Sequence, residues 1–266
     1  MVRLQSSDAE IVYEVLGKGP PLVLLHPFPV NHEFWFPVAQ ALTSRYRVIL
    51  PDLRGHGDSG VGEGTASMEK QAADIVRVMD HAEVRRAPLV GVSIGGYVIF
   101  EFWRKNKDRA TALVLCNTKA AADSAEARVG RLQAAVDVVE RGTEPFFETM
   151  VPKVLGKTTR ETRPDLVEGA KRMMRKMSPD DVAQVQRGMA ERPDSTATLK
   201  TIHVPTLLIT GDEDTTTGIG EAEVMRQNIS GSQLKVIPKA GHYSPWERPD
   251  EVGPLLRQFM DSVHGA

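Results

Sequence analysis

Apolar residues along this chain fall into two patterns. Short unbroken runs occur at Pro21-Leu22-Val23-Leu24-Leu25, Val48-Ile49-Leu50, Leu89-Val90-Gly91-Val92, Ala112-Leu113-Val114-Leu115-Cys116 and Thr206-Leu207-Leu208-Ile209. Such runs are what strands covered on both faces present to a folding chain. Between them apolar residues recur at helical spacing, as in Met68, Ala72, Ile75, Met79 and Ala82. Further helices are predicted over Phe34 to Leu42, Ile94 to Trp103 and Glu221 to Asn228, and Leu234 to Ile237 reads as one more strand. Val252, Leu255, Leu256, Phe259 and Val263 draw a last helical stripe, in which Pro254 marks either the first turn or an interior interruption. Val2 to Leu4 and Ile11 to Leu16, across Ser6-Ser7-Asp8, alternate like a hairpin at a sheet edge. Alternating strands and helices predict an α/β class, with a mostly parallel twisted sheet and helices on both faces.

The alternation stops between residues 119 and 198, where no buried strand can be drawn. Helical stretches at Leu132 to Val139, Leu166 to Met177 and Val182 to Met189 are punctuated by Pro145, Pro152, Pro164 and Pro179. The expected organisation is a core domain of residues 1–118 and 199–266 with a helical cap of residues 119–198 inserted. Met150, Met173, Met174 and Met177 would give that cap an adaptable apolar underside. Lys153 to Lys176 holds eight Lys or Arg against three acids. Those charges either attract a carboxylate-bearing substrate or form solvated helix faces.

Composition narrows the partners. The 266 residues are 41% hydrophobic and 26% charged with a net charge of −2, which leaves no basic footprint for nucleic acid. Cys116 is the one cysteine, so neither a disulfide framework nor a thiolate zinc site is available, and it reads as a small buried hydrophobe. No apolar run approaches a membrane span, and Met1 to Ser7 lacks the apolar core of a secretory signal, so a cytoplasmic protein without membrane contact is expected.

The candidate chemistry starts at Gly91-Val92-Ser93-Ile94-Gly95-Gly96, which reads as a strand, a sharp turn and a helix start. A serine hydroxyl becomes a useful nucleophile only when a base takes its proton. Glycines on either side remove side chains that so tight a turn would drive into its neighbours. The N–H of Ile94 would then sit at a helix N-terminus, where partial positive charge favours an oxyanion. At the carboxyl ends of later strands stand the adjacent acids Asp212, Glu213 and Asp214, and then His242. Ser, acid, His is the chain order of one of the three well-known serine triad arrangements. Nearer the amino terminus, His26-Pro27-Phe28-Pro29 stiffens the backbone after a buried strand and keeps the Phe28 N–H between two prolines. His56, in Arg54-Gly55-His56-Gly57-Asp58, reads as part of a locally hydrogen-bonded turn. His26 and His32 border the Phe28 loop, where they position backbone or line a pocket. Trp35, with Phe34 and Phe36, walls an acyl site or packs in the core. His32 and Trp35 are the pocket candidates.

Taken together, His26-Pro27-Phe28, Asp52-Leu53-Arg54-Gly55-His56-Gly57-Asp58-Ser59, the Ser93 turn, Gly211-Asp212-Glu213-Asp214 and Gly241-His242 resemble the successive signatures of the α/β-hydrolase family. Leu115-Cys116-Asn117-Thr118 followed by helices is similar to the capped group of esterases, 3-oxoadipate enol-lactonases and cofactor-free haloperoxidases. The resemblance implies Ser93 as nucleophile, His242 as base and Asp214, three residues after its glycine, as the orienting acid. It implies Phe28 and Ile94 as the oxyanion N–H donors, although Pro27 stands where the family usually has glycine. A cofactor-free enzyme acting on small-molecule esters or lactones is the expectation. The alternatives are a perhydrolase or haloperoxidase using the same residues, and a ligand receptor on the same fold.

Overall fold

The computed structural model describes residues 1–265. The unbroken apolar runs become the middle of an eight-stranded sheet. In chain order the strands are β1 (Val2–Ser6), β2 (Ala9–Leu16), β3 (Pro21–Leu25), β4 (Arg47–Pro51), β5 (Ala87–Val92), β6 (Ala110–Cys116), β7 (Thr206–Gly211) and β8 (Gln233–Ile237). Across the sheet they lie in the order β1-β2-β4-β3-β5-β6-β7-β8. From β4 to β8 every pairing is parallel, while β1–β2 and β2–β4 are antiparallel. The fold is therefore the mostly parallel α/β sheet that the alternation predicts. The predicted hairpin forms, with Val2 opposite Tyr13 and Ser6 opposite Ala9, but only β1 is an edge strand because β2 also pairs with β4.

All six residues of β5 and of β7 are buried, as full cover on both faces requires. The cover comes from α1 (Phe36–Leu42), α2 (Met68–His81), α3 (Ile94–Asn106) and, later in the chain, from elements that follow β7. Ser67 accepts the Lys70 N–H to start α2, whose residues Met68, Ala72, Ile75 and Met79 turn inward. Between β6 and β7 lie six helices and no strand: α4 (Ala125–Arg141), α5 (Glu144–Val154), α6 (Lys157–Thr162), α7 (Pro164–Met174), α8 (Pro179–Ala190) and α9 (Thr196–Leu199). Three of these follow the patterns read from sequence, but α4 is much longer than Leu132 to Val139. After β7 come α10 (Ile219–Asn228), α11 (Ser244–Glu247) and α12 (Pro249–His264). Pro249 supplies the first residue of α12, so Pro254 is interior. Helix α1 packs on α12, and α2 on α3.

After β3 the chain turns one way to β4 and then crosses back over β3 to β5. A parallel sheet opens a crevice beyond the carboxyl ends of the strands at such a reversal. Phe28 follows β3 and Ser93 follows β5, so the two flank it. No helix among the described residues is long and apolar enough to cross a membrane.

Candidate active site

Ser93 joins β5 to α3 at φ 54° and ψ −112°, a conformation that a residue with a Cβ rarely takes. The strain sits on the serine rather than on its glycines, whose φ values are not positive. What the glycines supply is room. A Cβ on Gly91 would stand 2.5 Å from the Gly95 carbonyl carbon, and one on Gly95 would stand 2.6 Å from the Leu25 carbonyl oxygen. The turn is held by its neighbour strand: the Ser93 N–H donates to the Cys116 carbonyl at 3.1 Å, and the Thr118 hydroxyl donates to the Ser93 carbonyl at 2.8 Å. Ile94 is the first residue of α3, where an N–H has no intrahelical acceptor.

His242 and Asp214 approach from the loops after β8 and β7. The Nδ1 of His242 lies 3.0 Å from Oδ2 of Asp214, and both side chains are buried. Asp214 is also held by other donors. Its Oδ1 accepts the N–H groups of Thr216 and Thr217 at 2.8 and 3.0 Å, and its Oδ2 accepts the Thr217 hydroxyl and the Asn117 amide, each at 2.9 Å. Burial alone would raise this carboxyl, but the His242 imidazole, its hydrogen bond and the Asn117 and Thr217 donors outweigh that and hold it well below the usual range. An ionised Asp214 needs a proton on Nδ1, which leaves Nε2 of His242 as the basic nitrogen.

The three adjacent acids separate in space. The Asp212 carboxylate meets the Ala240 N–H at 3.4 Å, and that of Glu213 accepts the Thr158 N–H at 2.8 Å, so only Asp214 faces His242. Asn117, φ 43°, to which the sequence assigns no role, donates to Asp214 and to the Gly241 carbonyl. It thereby ties the end of β6 to both loops.

Ser93 and His242 line one cavity of about 340 Å³, together with Phe28, Tyr97, Phe146 and Met150. That volume falls near the lower end of the range of small-molecule sites. The loop carrying Phe28 is fixed by Tyr243, which the sequence did not single out, and by His26, in the first of the two roles expected for it. The Tyr243 hydroxyl donates to the Phe28 carbonyl at 2.9 Å. His26 works at both nitrogens: Nδ1–H donates to the Pro27 carbonyl at 2.9 Å, and Nε2 accepts the Leu53 N–H at 2.9 Å. It is a backbone brace in neutral form, and burial pushes its pKa down to about 3. His56, sealed beside it, donates from Nδ1 to the Arg54 carbonyl at 3.1 Å and is pushed by burial to about 4. That is the local turn expected.

Other expectations need correction. Trp35 and His32 do not line the cavity. Both belong to a 3-10 turn, His32–Trp35, whose Asn31 cap aims them inward. Trp35 is fully buried with its ring edge-on to Phe34, centroids 5.3 Å apart. His32 is bound through its N–H and its Nδ1 to Oδ1 of Asp52 at 2.7 and 2.8 Å. Of the methionines proposed for the underside of the helical segment, only Met150 reaches the cavity, joined by Met189; Met173, Met174 and Met177 are core. The basic stretch is largely neutralised, with Lys171 on Glu148, Arg175 on Glu144, Lys176 on Glu33 and Arg163 on Asp165. Lys153 alone among its eight cations lines the cavity.

Known proteins share this fold over nearly the whole chain. An esterase from Thermogutta terrifontis, solved with malate bound, is 37% identical with a TM-score of 0.95, over 99% of this chain and 98% of its own. The enol-lactonase from Burkholderia xenovorans LB400 is 25% identical with a TM-score of 0.91, over 97% and 99%. In sequence, 3-oxoadipate enol-lactonase 2 of Acinetobacter baylyi is 26% identical over 97% of this chain and 95% of that protein. The profile of the alpha/beta hydrolase fold family matches residues 20–249, and the chain belongs to that family.

Proposed function

We propose that this chain is a serine hydrolase of small carboxylic esters or lactones, working through an acyl-enzyme on Ser93. The observation that carries the reading is the His242–Asp214 hydrogen bond at 3.0 Å, with His242 and Ser93 lining the same cavity. In this reading Nε2 of His242 takes the Ser93 proton as Oγ attacks the carbonyl carbon. The negative oxygen is received by the N–H groups of Ile94 and Phe28, and removing such a donor typically costs about 3 kcal/mol of transition-state stabilisation. His242 then gives its proton to the leaving alcohol. Water repeats the sequence on the acyl-enzyme, again deprotonated by His242. Asp214 fixes the tautomer and stabilises the imidazolium. These steps need no cofactor. Residues 119–198 act as a cap over the core of residues 1–118 and 199–266, and the cavity beneath them suits short acyl groups.

The test is a series of chromogenic esters of increasing acyl length with the wild type and Ser93→Ala. Loss of at least about 10³ in kcat in the variant is expected, with rates falling as the acyl chain outgrows the cavity. Unchanged turnover in Ser93→Ala would remove the nucleophile from the scheme. Adding peroxide to the same assay, and offering enol-lactones, tells hydrolysis from perhydrolysis and esters from lactones.

A further inference from the structure

Glu247 is buried at 1% exposure and faces neither the cavity nor solvent. Both of its oxygens are in use. Oε1 accepts the N–H of Gly241 at 2.9 Å, and Oε2 accepts the N–H of Gly156 at 2.9 Å. Gly241 adjoins His242 in sequence, and Gly156 lies between α5 and α6 in the cap. One carboxylate therefore bridges the histidine loop and the cap, and the backbones it joins are nearly touching. A Cβ on Gly241 would stand 2.2 Å from the Gly156 nitrogen, and one on Gly156 would stand 2.7 Å from the Gly241 nitrogen. Neither position has space for a side chain.

The same short cap segment holds both loops that carry the proposed triad. The Tyr243 N–H donates to the Val154 carbonyl at 3.0 Å, which anchors the residue after His242. The Thr216 hydroxyl donates to the Lys153 carbonyl at 3.0 Å, and the carboxylate of Glu213 takes the Thr158 N–H at 2.8 Å together with the Thr158 hydroxyl. These contacts anchor the residues on either side of Asp214. We infer that residues 153–158 of the cap are the template on which the loops of His242 and Asp214 are set, and that Glu247 is a positioning residue for His242. This rests on the reading of Ser93 and His242 given above. It makes this side of the cap a part of the catalytic scaffold, in contrast to a lid that opens as a whole.

Glu247→Gln tests it, because an amide can accept one of the two N–H groups while its own NH₂ opposes the other. A displacement of about 1 Å in a catalytic group can cost up to about 10² in rate. The variant is expected to lose about tenfold to 10² in kcat with KM changed less than about twofold, and Ser93 phosphonylation by an organophosphonate should slow by the same factor. Amide hydrogen exchange at Gly156 and Gly241 should quicken together. Thr158→Val, a substitution of equal shape at the half-exposed end of the joint, serves if the first variant does not fold. It should show a smaller fall in kcat at constant KM. A folded variant of either kind with wild-type kcat overturns the inference, as does a rise in KM at constant kcat. If Ser93→Ala kept its turnover, the nucleophile reading would fall by itself, while the paired exchange at Gly156 and Gly241 would still decide whether Glu247 joins the two loops.

Discussion

Replacing His56 with asparagine turns the buried histidines into a measurable dependence of stability on pH. His56 is 1% exposed, its Nδ1 donates to the Arg54 carbonyl, and its Nε2 has no hydrogen-bond partner among the described residues. Protonation would place a second N–H where no hydrogen-bond acceptor meets it, and a charge whose loss of hydration the attraction of Asp52 and Asp181 does not offset. Burial therefore holds the folded-state pKa at about 4 against an ordinary 6.5. Because the folded value lies below the unfolded one, the unfolded chain takes the proton first as pH falls. Stability is complete above the ordinary value and drains away below it. Between about pH 7 and about pH 5 this one group removes about 2 kcal/mol, taking the folded pKa as about 4. That is a large part of the roughly 5–15 kcal/mol that holds a domain together. The amide nitrogen of asparagine can keep the bond to Arg54 but does not titrate. His26 adds a loss of the same sign, and His32, whose pKa is raised by Asp52 and Glu14 against the lowering effect of burial, works in the opposite direction. Both are present in each protein, so the difference between wild type and His56→Asn reports His56 together with its electrostatic coupling to the adjoining His26, whose ring centroid lies 4.9 Å away. Urea unfolding at the two pH values provides the assay. Equal losses in both proteins would mean that His56 is protonated or solvated in the folded state, and the burial reasoning would fail.

Two other substitutions separate roles within the site. Asp214→Asn should lower kcat by about 10³ to 10⁴ in a protein that still folds, whereas Asp212→Asn should leave it within about twofold; steady-state kinetics on one ester decides, and the opposite ranking would move the acid. Tyr243→Phe removes the hydroxyl that holds the Phe28 carbonyl and should cost about 1 kcal/mol of stability with a fall in kcat; a thermal melt beside a rate measurement reads both, and an unaltered kcat would free Phe28 from any dependence on this brace.

The sheet was legible because a strand buried on both faces needs an unbroken apolar run, and β3, β4, β5, β6 and β7 each have one. The turn at Ser93 was legible because steric demand leaves glycine at fixed offsets. Selection of Asp214 over Asp212 and Glu213 came from the resemblance, which places the acid three residues after the glycine, and not from the residues themselves, since neighbouring residues on a loop point in directions that only the backbone path determines. His32 and Trp35 were misread for a related reason: closeness in sequence to the Phe28 loop does not say which way a 3-10 turn sends its side chains. Helix α4 outran its apolar signal because Val129, Leu132, Val136 and Val139 face solvent, while Ala135 and Val138 pack inward. Asn117, Tyr243 and Glu247 act through hydrogen bonds between segments far apart in the chain, and such bonds leave no periodicity to read.

The borders of the sheet have a bearing on how copies of this protein behave when crowded. β1 and β8 are five residues each, and each presents a cation near its middle, Arg3 on one and Lys235 on the other. Short, charged rims are poor templates for a further strand: at β8 a neighbouring copy would have to bring its charge against Lys235, and at β1 it would have to accommodate the Arg3–Glu10 ion pair. A sheet with so apolar an interior thus has rims that disfavour edge-to-edge growth.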